Sequence, residues 1–203
     1  MPTRYATLLV GLVGLCAALV LRMPAAAMQI GPAEETRLAA GEVLLDVLRT
    51  DDTDAAQVSA VIDIEAPPDT VWTIMTDCER APRFVPNLVS CKVLDRDPAA
   101  AWDIREHKID WAWFMPVVTH VFRSDYEGMR RLRFSRVSGD LKEAAGEWRL
   151  EPLRSGRATR VFYTSRLAPN GWIPTGMVRA QMKEDIPKVL NALRRECVAA
   201  PKK

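Results

Sequence analysis

The sequence has only two histidines in 203 residues, and its four cysteines form neither a C-x-x-C motif nor a Cys/His pair at zinc spacing. No metal site is therefore expected. Also missing are G-x-S-x-G, H-E-x-x-H and a phosphate-cradling glycine loop, the short signatures of nucleophilic, metal-hydrolytic and nucleotide chemistry. Nothing in the chain calls for a cofactor. Charge of one sign is not in excess either, with 28 basic against 26 acidic residues. That balance argues against nucleic acid, which draws a strong basic surplus to its phosphates. Internal repeats and low-complexity linkers are absent after residue 28, so one domain, read as a monomer, is the economical expectation.

Long hydrophobic runs are scarce. Thr7 to Leu21 is an uncharged stretch of 15 residues, preceded by Arg4 and followed by Arg22 and then Pro24-Ala-Ala-Ala27. It is shorter than the roughly 20 residues a helix needs to cross a bilayer, and it ends on an A-x-A site, which is signal-peptide grammar. Cleavage after Ala27 is expected, giving an exported, periplasmic or secreted protein. The alternative is an uncleaved signal that anchors the chain in the inner membrane. Removing residues 1–27 takes away Arg4 and Arg22 and no acid, which leaves basic and acidic residues equal at 26 each. Cys78, Cys91 and Cys197 remain, and an oxidising compartment permits one disulfide. Cys78 with Cys91, closing a short loop around Pro82 and Pro86, is the preferred pair; free buried cysteines are the alternative.

Periodicity supplies the elements. Residues 28–40 read as a polar lead-in, and Gly41 to Arg49 as a strand, with a helix the alternative, followed by a charged turn over Thr50 to Asp54. Val58 to Glu65 alternates, with Val58, Ala60, Ile62 and Ile64 on one face, so it reads as a half-buried strand. Pro67-Pro68-Asp69 opens a helix with an apolar stripe of Val71, Trp72 and Met75, and a second short helix runs from Arg80 to Val85. Strands are expected at 88–96, 101–109, 112–126, 130–137, 144–153 and 157–167, separated by turn signals such as Asp97-Pro98, Glu127-Gly128 and Ser155-Gly156. Consecutive strands with short connections build an antiparallel sheet. Thr175 to Ala199 carries Val178, Met182, Ile186, Val189, Leu190, Leu193 and Cys197 at spacings of three and four, predicting one long amphipathic helix with Pro187 inside it.

A strand, two short helices, a run of antiparallel strands and a long C-terminal helix form the order of the helix-grip fold. Ile64-Glu-Ala-Pro-Pro-Asp-Thr-Val-Trp72, Thr76-Asp77 and Phe84-Val-Pro-Asn-Leu88 resemble the opening of the polyketide cyclase/dehydrase and coenzyme Q-binding START-type proteins of the SRPBCC superfamily. Gly139-Asp-Leu-Lys142, Gly146-Glu-Trp148, Ala158-Thr-Arg-Val-Phe-Tyr163 and Ile173-Pro174 resemble its later strands and the approach to its last helix. The resemblance spans about Gly41 to Val198, and the domain is taken as 41–199. It implies an α+β, START/Bet v 1-like fold in which an antiparallel sheet wraps around the C-terminal helix over a deep apolar cavity. Across that superfamily the cavity holds lipids, sterols, quinones, hormones or polyketides, and only some members are enzymes.

The aromatic residues of the strand region share parities that suggest one concave apolar face. Trp102, Ile104, Trp113, His120, Phe134, Trp148, Tyr163, Met182 and Ile186 are the candidate ligand contacts, against the alternative that each is plain core. His120 and Glu106 are the only weak catalytic candidates: His120 either points into the cavity or faces solvent on its strand, and a buried Glu106 would need a partner. Trp111-Ala-Trp-Phe-Met-Pro116 is either a strand end under the helix or an exposed lip making transient membrane contact. Gly171 to Gly176 is either a gate or a structural cap. Arg130, Arg131, Arg133 and Arg136 form either a solvated outer face or a contact for anionic head groups.

Three functions follow from these readings. The first is an exported, non-catalytic binder or carrier of a hydrophobic small molecule, such as a lipid or isoprenoid quinone. The second is a cyclase or dehydratase using the same cavity, with His120 or Glu106 moving protons. The third is a protein-interaction module built on Trp111 to Phe114. Inward-facing ionisable residues would favour the second, and a filled core the third.

Overall fold

The computed structural model describes residues 28–49, 55–110, 116–171 and 174–201. The expected signal segment 1–27, the turn 50–54, the aromatic run 111–115 with Trp113, and residues 172–173 lie outside the described residues. The chain forms α1 (Pro32–Ala39), β1 (Leu44–Arg49), β2 (Ala56–Ile64), α2 (Pro68–Thr76), α3 (Ala81–Phe84), β3 (Leu88–Arg96), β4 (Trp102–Ile109), β5 (Val118–Glu127), β6 (Arg131–Gly139), β7 (Leu141–Leu153), β8 (Ala158–Pro169) and α4 (Thr175–Ala199). All strands join one antiparallel sheet in the order β1-β2-β8-β7-β6-β5-β4-β3. This is the expected α+β arrangement, an antiparallel sheet wrapped around a long C-terminal helix.

Alternation sets the inner face of β2. Val58, Ala60, Ile62 and Ile64 are all buried, and Ile62 and Ile64 pack with Leu190 and Leu193 of α4. Neighbouring strands extend that surface through Val161 and Tyr163 of β8, Trp148 and Leu150 of β7, and Leu132 and Phe134 of β6. Gly146 of β7 stands opposite Phe134 in the ladder. A Cβ there would run into the Phe134 ring and the Thr164 carbonyl oxygen, so only glycine lets the ring lie across the strand.

Two segments depart from the sequence expectations. The lead-in is not irregular: α1 forms within it, with Pro32 in the first turn and the Glu34 carboxylate accepting the Gly31 N–H at 3.1 Å. Its apolar stripe is too thin to register as amphipathic, since Leu38 is its one buried residue. The helix is held to the outer face of the sheet by charge. Arg160 of β8 donates to both oxygens of Glu35, at 2.6 and 2.8 Å, and to both oxygens of Asp63, at 2.8 and 2.9 Å. Around that clamp Leu38, Leu44 and Val61 bury one another, with Phe162 against them. The second departure is the strand expected at 112–126, which begins only at Val118, beyond Pro116 and Val117.

Cys78 and Cys91 are joined in a disulfide and Cys197 is a free, buried thiol. The bridge ties the turn between α2 and α3 to β3, across 13 residues.

Candidate functional site

Between the inner face of the sheet and α4 lies a cavity of about 230 Å³. Its walls follow from the elements already placed. The α2–α3 corner contributes Met75, Ala81, Phe84, Val85 and Pro86 at one end, and α4 contributes Val178, Met182, Ile186, Val189 and Leu190 along its length. The floor is aromatic. Trp148 and Tyr163 stand 4.4 Å apart between ring centroids, and Phe134 follows at 6.5 Å from Tyr163 and 6.0 Å from Phe122.

Polar groups enter this apolar wall at few points. Arg105 on β4 faces inward, and its Nε and Nη2 are held by protein partners. It donates to both carboxylate oxygens of Asp103, to the Thr76 carbonyl at 2.7 Å and to the Tyr126 hydroxyl at 2.7 Å. Tyr126 in turn donates to Asp103 at 2.6 Å, and burial together with that carboxylate raises the pKa of the phenol well above its usual range. The cluster is a neutralised strut between α2, β4 and β5. From α4, the Gln181 amide donates to the Asp185 carboxylate at 2.7 Å, and burial raises the pKa of that acid. The other Asp185 oxygen is buried without a hydrogen-bond partner.

Besides Ser124 and the Tyr163 hydroxyl, the remaining polar lining residues are His107 and His120. They are direct partners across the β4–β5 ladder, and both line the cavity. The Phe122 ring meets His107 edge-on at 4.8 Å and stacks on His120 at 4.9 Å. Neither imidazole has a hydrogen-bond partner among the described residues, and one buried nitrogen of each, His107 Nε2 and His120 Nδ1, is closed off from solvent. Burial, reinforced by His120 and Arg105, lowers the His107 pKa to about 3, and burial reinforced by Arg136 lowers that of His120 to about 4. Both rings are neutral at pH 7.

Of the residues singled out from sequence, His120, Phe134, Trp148, Tyr163, Met182 and Ile186 all line this one cavity. Trp102, Ile104 and Glu106 do not. The inward parity of β4 is Asp103, Arg105, His107 and Ile109, whereas Trp102 lies under the Arg123 guanidinium at 4.3 Å and Glu106 faces Lys108 on the outer side. The strand inverts the usual rule: its polar residues point in because Asp103 and Arg105 neutralise each other there. His107, Arg105, Gln181 and Asp185 were therefore passed over. The last two sit on the same α4 stripe as Val178, Met182 and Ile186, at spacings of three and four, which is the signal that would have found them.

Of the basic cluster, Arg131 and Arg133 make a paired outer face on β6, and Arg136 lies on the other parity, opposite Phe122. Arg131 and Arg133 form ion pairs with Glu127 and Glu147, and Arg136 donates to the carbonyls of Gly139 and Leu141. The charges of Arg131 and Arg133 are thereby matched by carboxylates, whereas Arg136 meets, among the described residues, only neutral carbonyl oxygens.

Comparison with known proteins adds the family. A family model described as polyketide cyclase / dehydrase and lipid transport matches residues 64–194. No curated protein sequence matches. Among solved structures, a STAR-related lipid transfer protein from Xanthomonas axonopodis is 18% identical, with a TM-score of 0.67 over 77% of this chain and 93% of its own. The Zhui aromatase/cyclase from Streptomyces sp. R1128 is 19% identical, with a TM-score of 0.61 over 71% of this chain and 94% of its own. The human StarD13 lipid transfer and protein localization domain is 15% identical, with a TM-score of 0.62 over 78% and 86%. Their likeness is one of fold.

Proposed function

The chain belongs to the polyketide cyclase / dehydrase and lipid transport family, and from that membership we propose that it is a non-catalytic binder or carrier of a hydrophobic small molecule, working outside the cytoplasm. The observation that carries this reading is the cavity itself. It lies between sheet and helix, walled mainly by aliphatic and aromatic side chains, with its one guanidinium paired to Asp103. Burial of apolar ligand surface is then the source of affinity, and the few polar groups orient the ligand. A volume of about 230 Å³ lies under the roughly 300–1,000 Å³ of pockets that take drug-sized ligands. It suits a compact ligand, or the head of a longer lipid or isoprenoid quinone whose tail leaves past α4. The lipid-transfer relatives in the same fold are consistent with this use.

Export is part of the proposal. It rests on the signal-like segment and its A-x-A site, and the Cys78–Cys91 disulfide supports it, since such bonds persist in oxidising compartments.

A cyclase or dehydratase is the second reading, and the inward-facing His107, His120 and Asp185 are what favour it. Their chemistry makes them poor at the task. A general base works best with a pKa near the operating pH, and imidazoles at about 3 and about 4 attract a substrate proton weakly. The cavity also removes the main support for a pure interaction module, which would have a filled core.

Native mass spectrometry of the protein, purified gently from its own host and followed by organic extraction, tests the proposal. A stoichiometric hydrophobic molecule is the expected result; an empty protein that also binds no apolar probe would sink it.

A further inference from the structure

Resting on the binder reading, we propose that the His107–His120 pair is the polar end of the cavity, and that the ligand it receives is an uncharged hydrophobic molecule bearing a hydroxyl or carbonyl oxygen there. Structural histidines in protein interiors are held by a hydrogen bond to a carbonyl or carboxylate. These two have none, although His120 is only 8% exposed and both rings stand in the cavity wall. Leaving a buried polar group unsatisfied costs about 1–3 kcal/mol, and since His107 Nε2 and His120 Nδ1 are closed off, His107 Nδ1 and His120 Nε2 are the nitrogens left to take a partner that the protein does not supply.

The chemistry of the pair selects the partner. Each neutral imidazole offers one N–H donor and one lone-pair acceptor, and a ring flip exchanges their positions with little change of shape. Two adjacent rings therefore satisfy a hydroxyl, which both donates and accepts, or a carbonyl, which accepts. Phe122 packs against both rings, and Phe134 continues the surface away from them, so a flat or aliphatic body can lie on the aromatic floor while its oxygen reaches the histidines.

An anionic head group is disfavoured by the same inventory. Arg105 is the only guanidinium among the described lining residues, and Asp103 neutralises it through Nε and Nη2. Across the cavity stands Asp185, a carboxyl group with one oxygen held by Gln181 and the other without a hydrogen bond, 4.0 Å from Lys188 Nζ. A carboxylate or phosphate entering here would find the one guanidinium of the wall already neutralised by Asp103, and would give up its water for little compensation.

Calorimetric titration of the purified protein with naphthalene, 2-naphthol and 2-naphthoate separates these terms, because the three probes share one apolar body. The expected order is 2-naphthol over naphthalene by about threefold to tenfold, the scale of one net hydrogen bond, with 2-naphthoate the weakest. The double variant His107→Phe/His120→Phe, checked for folding by circular dichroism, is expected to keep naphthalene binding and lose the preference for the alcohol. His107→Gln/His120→Gln, which restores donor and acceptor, is expected to recover part of it. Wild-type protein that binds naphthalene and naphthol equally, or prefers naphthoate, overturns the proposal and leaves the binder reading standing. Folded wild-type protein that takes none of the three overturns both. The ratio in wild type is decisive even if the phenylalanine variant does not fold.

Discussion

At the scale of single residues, the two cavity histidines tie binding chemistry to stability. In the unfolded chain an imidazole takes up a proton near pH 6.5, whereas the folded protein keeps His120 neutral down to about pH 4. Between those values the unfolded state binds more protons than the folded one, so stability is intact above about pH 6.5 and falls as the pH drops through the window. His107 acts in the same direction, with a folded pKa of about 3. Replacing His120 with Phe removes one such proton from the balance. The variant should lose about 1–2 kcal/mol less stability than wild type between pH 6.5 and pH 5, a range chosen to lie above most carboxylates. Urea midpoints measured at both pH values give the comparison, and equal losses in the two proteins would mean that His120 is not held neutral. The sequence showed His120 as a cavity candidate because it sits among valines, but it hid His107. On β4 the larger apolar residues, Trp102 and Ile104, occupy the outer parity, and period-two reasoning follows apolar side chains. What reversed the strand was the Asp103–Arg105 pair, two residues apart and mutually neutralising, an interaction that alternation alone does not score.

At the scale of elements, the cavity depends on how firmly its end wall is fixed. The helix α3 is a single turn, too short to be stable by itself, yet Ala81 and Phe84 on it line the cavity. Two things hold it: the packing of Phe84 in the core beneath α4, and the Cys78–Cys91 bridge to β3. Cys91 stands opposite His107 in the β3–β4 ladder, so the bridge also anchors the strand beside the proposed polar end. Removing it as Cys78→Ser/Cys91→Ser restores chain entropy to the unfolded state worth about 3 kcal/mol for a loop of this size. A matching fall in unfolding free energy by urea denaturation is expected, together with faster amide exchange over residues 78–91. A variant as stable as wild type would show that packing alone fixes the wall. Elements with a strong period, β2 and α4 above all, were readable in sequence to within two residues. The short α1 was not, because an arginine clamp from Arg160 rather than an apolar stripe binds it, and that clamp joins residues 125 positions apart.

At the scale of the whole molecule, the proposed export makes a claim that cysteine chemistry can check. The full chain has four cysteines, Cys16, Cys78, Cys91 and Cys197. Cys16 belongs to the signal-like segment, Cys78 and Cys91 are bonded to each other, and Cys197 is a buried residue of α4, where burial pushes its thiol up to about 12. Cleavage after Ala27 therefore leaves one titratable thiol per chain after unfolding without reductant, whereas retention of the segment as an anchor leaves two. In the native state the cleaved protein should react with almost no thiol reagent, because a buried, protonated thiol is a poor nucleophile. The measurement is the intact mass of the exported protein, with and without alkylation in denaturant. A chain beginning at Met28 and gaining one alkyl group supports export by cleavage. A chain that begins at Met1 and gains two argues for the anchored form, and three added groups on a cleaved chain would mean that the bridge is not made in the compartment where the protein works.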